Sequence, residues 1–297
     1  MASQKNKRVS LVLGSGGAKG LAHIGIIYAL KAKGYEISSI AGSSIGAMVG
    51  GVYAAGKLEE FEQWVRAFTP SGVVSLMDLA WGRGGLVKGD RAIDTLKEII
   101  GDRAIESLPI RFTAVASNIS QAREVWLNKG SLFDAIRASV SLPLFLTPVQ
   151  KGEDYLIDGG VLNPVPIAPV FSDDSDLIVA VNLNGDADEA LKQQVDAETE
   201  ALERERQTDS SFNAAVDKFI KKLRNSDDAE EDKSLGAYDI ASQAFDAMQG
   251  TIARQKLAAY PPDVLIELPR NVCGTMDFDR ASPLIDLGYQ KAMRALP

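Results

Sequence analysis

The chain has 297 residues, 45% of them apolar, so it can bury a sizeable core and fits one large α/β domain or one domain with an added segment. A formal net charge of −8 gives no support to nucleic-acid binding, and it is local: residues 186–233 hold 15 acids and 8 bases, a net of −7 that leaves about −1 for the rest. The single cysteine, Cys273, excludes an internal disulfide and suits a reducing compartment.

The basic start MASQKNKRVS runs into LVLGSGGAKGLAHIG, which is too glycine-rich, and interrupted by Lys19, to act as a signal peptide or a membrane span. The expectation is a soluble, cytoplasmic protein. Arg8 to Leu13 predicts a buried strand, followed by a glycine loop at 14–17 and a helix to about Lys33 that Gly34 closes as a left-handed cap. A second strand is expected at 37–42. The helix after it, Ile45 to Ala55, stops at Gly56; IGAMVGGVYAA is small or apolar throughout and should be buried on most sides.

LEEFEQWVRAF (58–68) reads as an amphipathic helix, 69–89 as a connection, and Asp90 as the cap of a helix ending near Gly101. Strands are expected at 110–118, 123–127, 147–150, 154–157 and 176–183, and Ser131 caps the short helix LFDAIRA. This alternation predicts a mainly parallel sheet covered on both faces, with ligands beyond the carboxyl ends of its strands. From 186 to about 233 the pattern turns polar and acidic. Within it, FNAAVDKFIKKLRN places Phe212, Ala215, Val216, Phe219, Ile220 and Leu223 on one helical stripe, with Lys218, Lys221, Lys222 and Arg224 on its polar side. That stripe fits an interfacial helix or a lid, or a helix packed on its own domain. DVLIELP (263–269) returns to strand, and SPLIDLGYQKAMRAL makes a closing helix. The expected architecture is a single domain over 1–297, a three-layer α/β/α sandwich. It carries an acidic, partly helical insertion at about 186–233 and a C-terminal strand and helix at 263–297.

Gly42-Ser43-Ser44-Ile45-Gly46 matches G-x-S-x-G with Ser44 at its centre. An apolar strand before it and a small-residue helix after it suit a nucleophile on a sharp elbow, and a tight turn with glycines for packing is the other reading. The loop Gly14-Ser15-Gly16-Gly17-Ala18-Lys19-Gly20 can turn backbone N–H groups towards one point at the start of a helix. A dinucleotide fingerprint, G-x-G-x-x-G, fits it poorly: from Gly14 its last position is Lys19, and from Ser15 its first glycine is missing. A phosphate-binding P-loop fails too, because Lys19 precedes Gly20 and no Ser or Thr follows. The base is narrowed by composition. His23 is the one histidine of the chain, and it serves either as the base or as a packed helix residue. If it is not the base, a carboxylate must be, and Asp158 in Tyr155-Leu156-Ile157-Asp158-Gly159-Gly160 ends an apolar strand; a simple Asp-Gly turn is its plain alternative. No cluster of histidines or carboxylates has metal-ligand spacing.

Together these pieces resemble the patatin-like phospholipase family. The neighbouring text does too: GLAHIGIIYALKAKG after the loop, and AIRASVSLPLFLTPV before YLIDGGVLNPVPI. The resemblance covers about 8–184 and, more weakly, 254–297. It implies a serine acyl hydrolase of esterase, phospholipase A or lysophospholipase type that acts on lipid or small acyl esters; no cofactor or metal is expected, and peripheral membrane contact is expected only if the stripe at 212–223 is an interfacial helix. On that resemblance Ser44 attacks and Asp158 acts directly as its base, within the elbow of Gly42 and Gly46 and the motif of Gly159 and Gly160. Gly16, Gly17 and Ser15 supply the oxyanion hole, supported by Gly14, Lys19 and Gly20. Two positions depart from the family pattern: Ser15 stands where glycine is usual, and Lys19 where arginine is commoner. A catalytically silent ligand-binding or regulatory protein, or a dinucleotide-binding protein, are the rival readings. No motif sets a headgroup, an acyl-chain length or an oligomeric state.

Overall fold

The computed structural model of the chain describes residues 7–69, 90–143, 145–207 and 237–297. Of the connection expected at 69–89, residues 70–89 lie outside the described residues, as does the amphipathic stripe at 212–223. β1 (Arg8–Leu13), β2 (Glu36–Ser43), β3 (Arg111–Asn118), β7 (Leu177–Gly185) and β8 (Val264–Pro269) form a parallel sheet. β4 (Arg123–Leu127), β5 (Val149–Lys151) and β6 (Asp154–Asp158) join its β3 side antiparallel. Central strands such as VSLVL are buried at every position, as a sheet covered on both faces requires.

One face is covered by α1 (Ala22–Ala32), α2 (Ile45–Ala54) and α8 (Ala281–Ala295). α1 and α8 cross so closely that a methyl group at Gly25 would overlap the Ile285 carbonyl, and one at Gly288 the Ala22 carbonyl. Interior glycines weaken a helix, and this backbone contact explains their presence. Of three further helices, α3 (Leu58–Arg66) and α5 (Leu132–Ser139) pack on α2, and α4 (Asp90–Ile100) packs on α3 and α5. The other face packs Val12, Ala41 and Ala180 against Val165, Ile167 and Val170, and against Ala253 of α7 (Ala237–Ala259). The result is the expected mixed α/β arrangement, a mainly parallel central sheet flanked by helices.

Two local features differ from the sequence reading. The glycine loop enters α1 through a 3-10 turn at Gly17–Leu21. Asp90, expected as a cap, is the first described residue of α4. A 23-residue helix, α7, stands where the sequence pattern passed from the acidic run straight to β8. Its inward positions mix Ala253 and Leu257 with Gln249 and Gly250, so a polar residue and a glycine interrupt its apolar side. The acidic segment begins with α6 (Glu189–Gln207), whose Val195 is buried, whose Lys192, Glu198 and Glu200 are exposed, and whose Asp196 pairs with Arg280 of the segment before α8. Among the described residues, no helix is long and apolar enough to cross a membrane.

Candidate active site

β2 and β6 meet end to end along one edge of β3. β2 pairs with β3 as far as Ser43↔Val115, and β6 takes over at Asp158↔Ala116, while β4 holds the opposite edge from Ala114 to Asn118. β2 runs up to this junction and β6 runs down to it. The first residue past β2, Ser44, is therefore brought beside the last residue of β6, Asp158. Ser44 Oγ donates to Asp158 Oδ2 at 2.5 Å across 114 residues of chain.

The elbow that presents Ser44 is strained at one residue. Ser44 has φ 57° and ψ −126°, a region that costs a non-glycine residue about 1–3 kcal/mol. Gly42 and Gly46 serve close approach: a methyl at Gly42 would strike the Gly46 carbonyl, and one at Gly46 the Leu13 carbonyl. Ser139, at the end of α5, holds the turn. Its hydroxyl accepts from the Ser44 N–H at 2.9 Å and donates to the Val115 carbonyl at 2.6 Å. Ser43 lies fully buried, and its hydroxyl has no hydrogen-bond partner among the described residues.

Asp158 is fully buried. Burial pushes its carboxyl up from 3.8 to about 7, against the hydrogen bonds from Ser44 and from the Gly160 N–H, which favour the charged form. The Gly160 N–H lies 2.7 Å from Oδ1, and the Asp158 N–H donates to the Ser141 carbonyl at 2.9 Å. Both carboxylate oxygens and the backbone are therefore fixed.

His23 is also fully buried, and its Nε2 lies 2.9 Å from the Gly14 carbonyl, which can only accept. That nitrogen is thus the donor. Burial pushes the imidazole down to about 4, with the Gly14 bond opposing, so the ring is neutral near pH 7. Among the described residues no hydrogen bond joins it to Ser44.

The glycine loop is pinned at three amides. Gly14 N–H donates to Val181 at 3.1 Å, Ser15 N–H to Pro164 at 2.8 Å, and Ala18 N–H to Thr275 at 2.9 Å. Between these, the Gly16 and Gly17 N–H groups have no partner among the described residues, and Gly17 takes a left-handed φ of 57°. This corrects the expectation for Ser15. Its N–H is committed to a carbonyl and is not free for an oxyanion. Lys19 is 3% exposed, and its Nζ donates to the Arg270 carbonyl at 3.2 Å. Burial lowers its affinity for a proton, with the Asp246 carboxylate opposing. Lys19 therefore ties the loop to the segment after β8, while Gly20 lets the loop pack on Ile45.

Ser44 and Gly17 open on a cavity of about 190 Å³ with apolar walls. Its lining includes Met48 of α2, Phe61 and Trp64 of α3, Leu96 of α4, Leu142 and Phe145. A hydroxyl bonded to a buried carboxylate, two amides without a partner among the described residues and an apolar-walled cavity are equipment for transferring an acyl group to and from serine. Ser139, Ser141, Thr275 and Gln249 were invisible to sequence reasoning. Each acts through a contact distant in sequence, and only the short ASVS run around Ser139 and Ser141 hinted at one.

The model of the patatin-like phospholipase family matches residues 11–171. With more than half of its length matched, the chain belongs to the patatin-like phospholipase family. Membership supports lipid hydrolase activity in general. An uncharacterized NTE family protein of Mycobacterium bovis is 37% identical over 328 residues, spanning 97% of this chain and 91% of that protein. The lysophospholipase NTE1 of Debaryomyces hansenii is 31% identical over 186 residues, 60% of this chain and 12% of that protein. The crystal structure of VipD from Legionella pneumophila aligns at a TM-score of 0.47 and 14% identity, covering 98% of this chain and 67% of that one.

Proposed function

We propose that the chain is a serine acyl hydrolase that cleaves lipid acyl esters, of phospholipase A, lysophospholipase or esterase type, through a Ser44–Asp158 dyad and an acyl-enzyme. The observation that carries this reading is the 2.5 Å contact between Ser44 Oγ and Asp158 Oδ2 at the mouth of an apolar cavity, with the one histidine committed elsewhere. Asp158 takes the Ser44 proton as Oγ attacks the ester carbonyl. The oxyanion that forms is bound by the Gly16 and Gly17 N–H groups and by the N-terminal end of α2. One such donor typically lowers the barrier by about 3–4 kcal/mol. Collapse expels the alcohol, which leaves with the proton from Asp158. Water then attacks the acyl-enzyme with the same carboxylate as base, and the fatty acid departs. The apolar walls favour an acyl chain, and the family and the lysophospholipase relative support a lipid ester.

The direct test is covalent capture. A fluorophosphonate probe should label the protein at Ser44, and the label should vanish in Ser44→Ala. A folded parent that takes up no label has no activated serine, and the proposal fails.

Base strength gives a second expectation. Asp158 must be ionised to accept a proton, and its carboxyl is held at about 7. On a neutral ester, kcat/KM should fall about tenfold per pH unit below that value and level off above it. A profile from pH 5 to 9 measures this, and a midpoint near 4 would contradict a dry carboxylate base.

His23→Ala provides the contrast. Removing the ring leaves the buried Gly14 carbonyl without its partner and should cost about 1–3 kcal/mol of stability. Turnover should stay within about tenfold of the parent, since the ring takes no proton in this mechanism. A folded but inactive variant would transfer the base assignment to the imidazole.

A further inference from the structure

We propose that Ser15, Gln249 and Gly160 form an interlock that sets the oxyanion loop against the Asp158 turn, with Gln249 of α7 as its positioning residue. The inference rests on the acyl-transfer reading and adds a residue to it.

Three observations support the interlock. Gln249 is 3% exposed and Ser15 4% exposed, and Gln249 Nε2 donates to Ser15 Oγ at 3.2 Å across 234 residues of chain. A buried amide donor is costly when unpaired, so this bond fixes where α7 stands relative to the loop. Ser15 is also anchored through its backbone, by the N–H bond to Pro164. The Ser15 side chain is therefore held from two directions and cannot easily move aside.

Gly160 fits against that fixed pair. A methyl group there would lie 2.7 Å from Ser15 Cβ and closer still to Ser15 Oγ and Gln249 Nε2. The same Gly160 donates its N–H to Asp158 Oδ1. One contact thus joins the loop that carries the Gly16 and Gly17 amides to the turn that carries the carboxylate. Pushing them apart would misplace the base and the oxyanion donors relative to each other. Ser15 contributes through its side chain, although its N–H is not available to an oxyanion.

The test is a set of variants assayed for kcat, KM and pH profile on a p-nitrophenyl ester. Gly160→Ala should lower kcat about 100-fold, as a displacement near 1 Å does, with KM within about twofold. Its pH midpoint should move upward, because the Gly160 N–H helps keep Asp158 charged. Ser15→Gly placed in that background vacates the space and should recover at least about tenfold in kcat. Gln249→Ala should lower kcat about tenfold alone but add little in a Ser15→Gly background, because the two residues act through one bond.

A Gly160→Ala enzyme with parental kcat, or a double variant no better than Gly160→Ala, would overturn the interlock. If Gly160→Ala does not fold, a folded and active double variant supports the proposal and an unfolded one overturns it. If the parent hydrolyses no ester, the acyl-transfer reading fails by itself. Thermal melting of the same proteins still decides the interlock: a melting temperature lowered by Gly160→Ala and restored by Ser15→Gly supports it, and one left unrestored refutes it.

Discussion

Asp158→Asn should lower p-nitrophenyl ester turnover by about ten-thousand-fold, as far as Ser44→Ala does, while Ser43→Ala keeps most of it. The amide is nearly the same shape as the carboxyl. It can still accept from the Gly160 N–H and face Ser44 Oγ, but it can no longer take a proton. The loss would therefore report base strength and not geometry. Ser43 is the control because its buried hydroxyl has no partner among the described residues to lose. Steady-state kinetics on folded variants would measure the contrast, and an Asp158→Asn enzyme that retains a tenth of parental kcat would exclude the carboxylate as base.

The expected size of that loss follows from what burial does to the carboxyl. An exposed aspartate is a poor base for a hydroxyl, because it holds a proton only below about pH 4. With water excluded, Asp158 is held at about 7, where an ordinary imidazole would titrate. The fold thus obtains the basicity of a histidine from a carboxylate by desolvating it. Meanwhile its one histidine, pushed down to about 4, is kept neutral and spent on the backbone of the glycine loop. The two groups have exchanged their usual pKa ranges, and the cause is the same dry interior acting on opposite charges.

Much of this was legible in the sequence because it is written locally. Six residues of RVSLVL make a buried strand, and the G-x-S-x-G elbow and the Asp-Gly-Gly turn each lie within five or six residues of their strands. What brought Ser44 and Asp158 together was not local. The junction of β2 and β6 on β3 is a matter of register, set by which residues of Arg111–Asn118 each strand claims. No periodicity reports that. Ser139 and Gln249 were illegible for the same reason, since their bonds to Ser44 and Ser15 span 95 and 234 residues. Ser15 misled in a different way. Its N–H exists, as the sequence reading required, but the neighbouring Pro164 carbonyl takes it. Helix α7 escaped notice because Gln249 and Gly250 interrupt the inward side that Ala253 and Leu257 share, and helix signals depend on a continuous apolar face.

The same Asp158→Asn substitution should make the fold more stable, and only above acidic pH. In the unfolded chain the carboxyl releases its proton near 3.8, and in the folded chain near 7. Between those values the folded protein binds a proton that the unfolded one has lost, so the parent's stability falls by about 1.4 kcal/mol per pH unit as pH rises. The fall begins near pH 4, ends near 7, and comes to about 4 kcal/mol in all. The amide has no such titration. Its advantage should therefore be near zero at pH 4, grow to neutrality and stay level above it. At pH 8 that corresponds to a melting temperature higher by on the order of 5–10 °C. Thermal denaturation of both proteins at pH 5 and pH 8, at one ionic strength, would read the difference, and contributions from other titrating groups cancel in the comparison. An equal margin at both pH values would mean that the carboxyl carries the same charge folded and unfolded, and the base strength attributed to its burial would be lost with it.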